Sequence, residues 1–294
     1  MLDTGSLLAH SQDLDLIIRH VLTGLGHGLH AGRERGAGVE FSEYRAYAPG
    51  DEWRRVDWKL LARNDRYYVR EAERDSHVAV WLWLDASASM AEASHSYPQL
   101  NKLTMARAML ACLAGLAQRQ GDAFGLLVAQ QERLQYTPAA RGPRQLQRIL
   151  AQLNAAHARG GLPDAQTVQA HLHFARAPSL IFVISDFLEW PSATSEALLR
   201  LRTMGHDVRA LCLQTQAERT ANFVSDAAYS DSEQPHAIHQ FTEAAKSNYL
   251  QQSQAHFAMI EQACRRVNIP YLNAAIEDDL GKVLRLWLRL AGKV

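Results

Sequence analysis

Residues 85–89 read Asp-Ala-Ser-Ala-Ser, and residues 185–186 read Ser-Asp. Carboxylate and hydroxyl oxygens are hard donors, which suit Mg²⁺ better than zinc or copper. Each group follows an apolar stretch, residues 81–84 in one case and 181–184 in the other. The alternating spacing of Asp85, Ser87 and Ser89 lets a turning loop aim all three inward. Asp186 supplies a second carboxylate if the two stretches end side by side. A dication held by Asp85, Ser87, Ser89 and Asp186 keeps a coordination position for a carboxylate from outside, such as a partner's Asp or Glu. The same residues also admit a structural role, with Ser87 and Ser89 capping a following helix and Asp85 bracing the loop.

Bringing the two groups together requires strands that end on one sheet edge where the connection order reverses. Residues 78–85 and 180–185 are apolar almost without interruption, as expected of strands covered on both faces. Around them the pattern predicts helices over 103–119, 144–157, 165–176 and 195–204, and a strand over 206–213. Strands over 124–129 and 133–136 are joined by a tight turn at 130–132, which leaves no room for a crossover and makes 133–136 an antiparallel edge. A helix is predicted over 11–23, another over 243–267, and a last one ending near Leu290. Residues 222–241 alternate weakly and read as short antiparallel strands at an edge. Alternating strands and helices imply an α/β fold, a doubly wound and mainly parallel sheet.

Composition removes several classes of function. The 294 residues carry 31 basic and 31 acidic side chains, so no global field draws the chain to nucleic acid or to an anionic membrane. Apolar runs at 78–84 and 108–114 fall far short of the roughly 20 residues that span a bilayer. Asp3, Asp13 and Asp15 stand where a leader would be basic and then apolar. Cys112, Cys212 and Cys264 are odd in number, far apart and set in apolar surroundings, which suits buried thiols in a reducing compartment. A soluble, cytoplasmic protein without membrane insertion or nucleic-acid binding is expected. Close histidine pairs (His27/His30, His171/His173, His236/His239) lack matching Cys or acid clusters and read as surface residues. No phosphate-loop string or G-x-S-x-G elbow occurs. Trp81 and Trp83 read as core.

Residues 39–76 differ in character, crowded with charges of both signs and with Phe41, Tyr44, Tyr47, Trp53, Trp58, Tyr67 and Tyr68. Residues 1–76 are accordingly expected to form a segment packed on a main domain of 77–294. Pro49-Gly50 suits a type II turn, with Arg45, Asp51, Arg54, Arg55 and Asp57 around it as a bracing ion network.

Two strings in this chain carry a family resemblance. The D-x-S-x-S at Asp85, Ser87 and Ser89 resembles the metal-ion-dependent adhesion site of von Willebrand factor type A domains. The strings Arg35-Gly36-Ala37-Gly38-Val39-Glu40-Phe41 and Tyr47-Ala48-Pro49-Gly50-Asp51-Glu52-Trp53-Arg54-Arg55-Val56-Asp57-Trp58 resemble the signature of the domain-of-unknown-function 58 family, which joins this segment to a von Willebrand A-like domain. The resemblance implies a non-enzymatic interaction module or adaptor for a MoxR-type AAA ATPase, with Mg²⁺ at Asp85, Ser87, Ser89 and Asp186. One position departs from the wider pattern. The adhesion site adds a threonine from a loop that here reads Gly160-Gly161-Leu162-Pro163-Asp164, and Leu162 stands in its place. Asp164 either substitutes in part or serves as an ordinary helix-start acid.

The enzymatic alternative makes Asp85 a nucleophile beside Mg²⁺ at Asp186, in hydrolysis or phosphoryl transfer. That chemistry wants a second acid two residues on, where Ser87 stands, and a lysine to neutralise phosphoryl charge. Neither Lys102 nor Lys59 has an obvious claim from the sequence.

Overall fold

The computed structural model describes residues 13–24, 43–46, 67–71, 78–174, 177–222, 228–230, 238–240 and 243–290. The chain divides into two compact units, residues 33–77 and all the rest. In the smaller unit, β1 (Glu43–Ala46) pairs antiparallel with β2 (Tyr68–Glu71). The Pro49-Gly50 turn and the ion network expected around it lie outside the described residues. So does most of the segment expected to pack on the main domain.

The larger unit is built on one six-stranded sheet. Its strands are β3 (Val80–Asp85), β4 (Phe124–Gln130), β5 (Arg133–Ala140), β6 (Leu180–Ser185), β7 (Asp207–Gln214) and β10 (Tyr271–Ala275), in the spatial order β10-β7-β6-β3-β4-β5. All neighbours are parallel except β4 and β5. Every residue of β3 and β6 is buried, which is why both read as unbroken apolar runs. The predicted central pair and the antiparallel edge are therefore as expected. The edge strand runs on to Ala140 and takes in Pro138, a residue that an edge tolerates and a central strand does not. The strand β10 had no counterpart in the sequence reading. The short strands β8 (Ala228–Ser230) and β9 (Ile238–Gln240) pair with each other in a sheet of their own, not on the edge of the large one.

Alternation along each strand divides the core between two faces. Val80, Leu82, Leu84, Phe124, Leu126, Val128, Phe182 and Ile184 join one apolar cluster. Trp81, Trp83, Leu127, Ile181, Val183, Val208 and Ala210 join the other. The first face is covered by α1 (Leu14–Gly24), α2 (Lys102–Gln120), α3 (Pro143–Ala155) and α8 (Leu280–Leu290). The second carries α4 (Ala165–His171), α5 (Ala193–Thr203) and α7 (Glu243–Arg266). A doubly wound α/β fold results. The helix α1 packs on α2, where a Cβ at Gly115 would come within 2.8 Å of Ile18, so the small residue permits the close approach. The helix α2 starts on Asn101, whose side chain accepts the Thr104 N–H, and ends on Gly121 at φ 74°. That start fixes where Lys102 stands. The helix α4 stops at His171 and continues only as a 3₁₀ turn to Phe174, shorter than predicted.

Candidate functional site at the switch point

From the central pair the chain leaves in opposite directions, β3 to β4 and β6 to β7, so the ends of β3 and β6 mark the reversal of strand order. Leu84 and Ile184 are register partners, which brings Asp85 and Ser185 together at the next step. The Ser185 hydroxyl donates to Asp85 Oδ2 at 2.5 Å, and the Ser87 N–H donates to Asp85 Oδ1 at 2.8 Å. Asp85 thus ties the two turns into one structure. Burial pushes its carboxyl up to about 6, helped by the nearby charge of Asp186 and opposed by the bonds from Ser185 and Ser87.

Ser87 is the N-cap of a 3₁₀ helix, Ala88–Ala91, yet its side chain makes no capping bond. Its Oγ lies 3.1 Å from Ser89 Oγ and also bonds the Asp85 carboxylate. The capping role considered from the sequence is therefore not what these serines do, whereas Asp85 does brace the loop. Adjacent oxygens about 2.1 Å from an octahedral Mg²⁺ lie about 3 Å apart, so the serine pair has the spacing of two neighbouring ligands. Asp85, Ser87 and Asp186 are each 2% exposed and Ser89 is 8% exposed. Among the described residues no three His, Cys, Asp or Glu side chains form a metal-holding group, so any dication here depends on the serines as well as the carboxylates. The donor set fits a hard cation, one hydroxyl short.

The other half of the cluster escaped sequence reasoning. Lys102, 1% exposed, donates from Nζ to Asp186 Oδ2 at 3.1 Å and to Glu218 Oε1 at 2.6 Å. Glu218 lies on α6 (Gln216–Thr220), and its Oε2 accepts the Thr215 N–H at 2.6 Å in a reciprocal capping box. Asp186 Oδ1 accepts the Leu188 N–H at 3.3 Å, and the Asp186 carbonyl accepts the Cys212 thiol at 3.5 Å. Burial alone would lower the Lys102 ammonium, but Asp186 and Glu218 outweigh it and hold the group above its ordinary value. Glu92, whose carbonyl accepts the Lys102 N–H, has its own carboxyl raised by burial and by Glu218. No sequence signal announces Lys102 beyond its place at a helix start, since its partners stand 84 and 116 residues away. The turn after Asp186 is further held from α7, where His256 Nε2 shares a 2.9 Å hydrogen bond with the Phe187 carbonyl.

The loop carrying Leu162 does lie beside the serines. Ala88 N–H donates to the Gly160 carbonyl at 2.8 Å, and Arg159 N–H donates to the Ala86 carbonyl at 3.1 Å. The β4–β5 turn straps the loop from its other side through Gln131 N–H to the Arg159 carbonyl and Glu132 N–H to the Gly161 carbonyl, both 3.1 Å. Gly160 sits at φ +66°, and a Cβ there would come within 2.8 Å of Gln131 Cα, so only glycine lets the strap close. Leu162 packs against the tryptophan-bearing face of the core. Asp164 caps α4, accepting the Thr167 N–H at 2.7 Å, and this bond holds its carboxyl below the usual range. It serves the helix start, one of the two roles its sequence position allows.

The remaining candidates fall outside the cluster. Trp81 stacks with Tyr136 and meets Phe174 edge-on, and Trp83 also meets Phe174, so both are core residues. The thiols of Cys112, Cys212 and Cys264 are free and buried, and burial pushes each up to about 12. His171 Nδ1 bonds the Thr167 carbonyl within its own helix. His27, His30 and His236 lie outside the described residues.

A doubly wound α/β domain with buried oxygen donors at its switch point is the class that fold and site define. Residues 43–258 match the family described as Protein of unknown function DUF58, and the chain belongs to that family. It is 29% identical over 289 residues to Uncharacterized protein Rv1480 of Mycobacterium tuberculosis and to Uncharacterized protein Mb1516 of Mycobacterium bovis, covering 95% of this chain and 87% of each relative. Similar solved structures include conserved hypothetical protein BatB of Bacteroides thetaiotaomicron, at 14% identity and TM-score 0.45 over 74% of this chain and 100% of that one. The SpRpn10 VWA domain is another, at 8% identity and TM-score 0.42 over 74% of this chain and 98% of that domain.

Proposed function

We propose that this protein is a non-enzymatic interaction module that binds Mg²⁺ through Asp85, Ser87, Ser89 and Asp186 and engages a carboxylate on a protein partner, a MoxR-type AAA ATPase. The observation that carries the reading is the serine pair. Two buried hydroxyls, relieved of capping duty and set 3.1 Å apart, stand beside a buried carboxylate pair. The hydroxyls bond only within this oxygen cluster, Ser87 to Ser89 and to Asp85, so they gather donors at one point, as a hard cation requires. Asp85, Ser87, Ser89 and Asp186 would hold the Mg²⁺, which would attract a carboxylate from outside. This chain's own part is to hold the donors: Asp85 joins the two turns, and the Gly160 strap keeps the loop of residues 159–162 against the serines. Leu188 leaves the same turn as Asp186 and is 47% exposed, which gives a partner an apolar contact beside the charged one. Among the described residues no helix is long and apolar enough to cross a membrane.

Co-purification from native extract, with Mg²⁺ and with chelator, tests the proposal. The ATPase is expected to be retained with Mg²⁺ and lost with chelator or in Asp85→Ala. Retention unchanged in all three places the interaction elsewhere, with the 45–58 region next to be examined.

One observation favours the enzymatic alternative, namely that Lys102 supplies the buried cation which phosphoryl transfer needs. Against it, both Asp85 oxygens already accept hydrogen bonds and the ammonium is committed to two carboxylates. Mg²⁺-dependent turnover of a generic phosphate ester, abolished by Asp85→Asn, would decide for the enzyme.

A further inference from the structure

We infer that Lys102 is a built-in competitor of the dication, and that the Lys102–Glu218 pair sets how tightly the switch-point site holds Mg²⁺. The inference rests on the metal reading above and concerns what limits that binding. Of the carboxylate oxygens at the site, Asp186 Oδ2 is the one that faces a full positive charge, the Lys102 ammonium at 3.1 Å. The ammonium cannot retreat to solvent, since it is 1% exposed, and its other contact is Glu218 Oε1 at 2.6 Å. Glu218 is itself fixed, because Oε2 holds the Thr215 N–H and the Thr215 hydroxyl holds the Glu218 N–H. Glu218 therefore pulls the ammonium away from complete commitment to Asp186. A dication that uses Asp186 must share it with this ammonium and bear its repulsion at close range.

Charge bookkeeping gives the direction of each change. Asp85, Asp186 and Glu218 against Lys102 leave two negative charges around the proposed site when all are ionised, and Glu92, at the far side of Lys102, adds the same charge to every variant. Glu218→Gln leaves one, and frees Lys102 to neutralise Asp186 completely, so Mg²⁺ binds more weakly. Lys102→Met with Glu218→Gln keeps two negative charges, now without an ammonium on Asp186, so Mg²⁺ binds more tightly. Neither residue belongs to the proposed ligand set. Charges a few ångströms apart in a poorly solvated site interact strongly enough to move affinity by on the order of tenfold in each direction. Burial also shields the effect from salt, unlike that of a surface charge.

Calorimetric titration of the full chain with Mg²⁺ at low and high salt tests this, with melting temperature recorded in parallel. Expected is weakening of about tenfold in Glu218→Gln and tightening of at least about tenfold in Lys102→Met/Glu218→Gln, both persisting at high salt. The Mg²⁺-induced rise in melting temperature should follow the same order. Glu218→Gln keeps an amide oxygen for the Thr215 N–H, so the weaker arm does not depend on the double variant folding. Mg²⁺ affinities equal to wild type in both variants overturn the inference and leave the metal reading standing. Absence of Mg²⁺ binding in wild type and both variants, or binding that survives Ser87→Ala/Ser89→Ala, overturns the metal reading and this inference with it.

Discussion

The two strand ends that meet at the switch point treat their charges differently. At the end of β6, Asp186 faces a buried ammonium, and that ammonium is shared with Glu218 in a network that ties the β6 end to α2 and α6. At the end of β3, Asp85 is met by neutral donors, the Ser185 and Ser87 hydroxyls and the Ser87 N–H, its carboxyl is pushed up to about 6, and the adjacent serines bond each other. Burial is equal on the two sides, so burial does not make the difference. Protein-internal charge compensation does. The compensated end holds the fold together; the uncompensated end is where an added cation would lower the energy.

Breaking the compensated end should cost most. Lys102→Met leaves the buried Asp186 and the partly buried Glu218 without their counter-charge, and loss of one partner of a buried pair costs about 3–5 kcal/mol. Chemical denaturation of wild type and variant measures it, and a loss below about 1 kcal/mol would mean that water already screens the triad. The uncompensated end should be less costly. Asp85→Ala strands the Ser185 hydroxyl and the Ser87 N–H, worth about 1–3 kcal/mol by the same measurement.

The pH dependence separates the two ends further. Asp85 titrates near 6 in the folded chain against an ordinary value of 3.8, so between these limits the folded state binds more protons than the unfolded state. Its contribution to stability therefore falls as pH rises from about 4 to about 6 and is level above. Thermal melts of metal-free protein across that window, compared with Asp85→Asn, should show the fall in wild type and its reduction in the variant.

Much of this was legible in the residues. Val80–Asp85 and Leu180–Ser185 are apolar on both faces, which only a strand covered by helices on each side requires, and the turn at Gln131-Glu132 is too short for anything but a hairpin. Asp85, Ser87, Ser89 and Asp186 could be picked out because each follows such a strand directly. Lys102 and Glu218 could not. Each ends a connection whose path is set by packing, and a lysine opening a helix gives no hint of a carboxylate 84 or 116 residues away. The strand β10 was missed because half-buried edge residues carry a weaker pattern than central ones.

Smaller effects sharpen the comparison at the loop beside the serines. Leu162→Thr trades part of an apolar contact for a hydroxyl on the loop bonded to Ala86 and Ala88; under the metal reading it should tighten Mg²⁺ binding while lowering stability by about 1 kcal/mol. Asp164→Ala should cost about 1 kcal/mol through its lost cap and leave Mg²⁺ affinity untouched, since Asp164 serves α4. Calorimetry with Mg²⁺ checks both.

The serine pair tests the central claim most directly. Mg²⁺ titrated calorimetrically into the wild-type chain should give a saturable binding heat, and Ser87→Ala/Ser89→Ala should abolish it while the melting temperature in chelator stays within a few degrees of wild type. An identical Mg²⁺ isotherm in the two proteins would contradict the account and reduce the cluster at the β3 end to a brace for the loop.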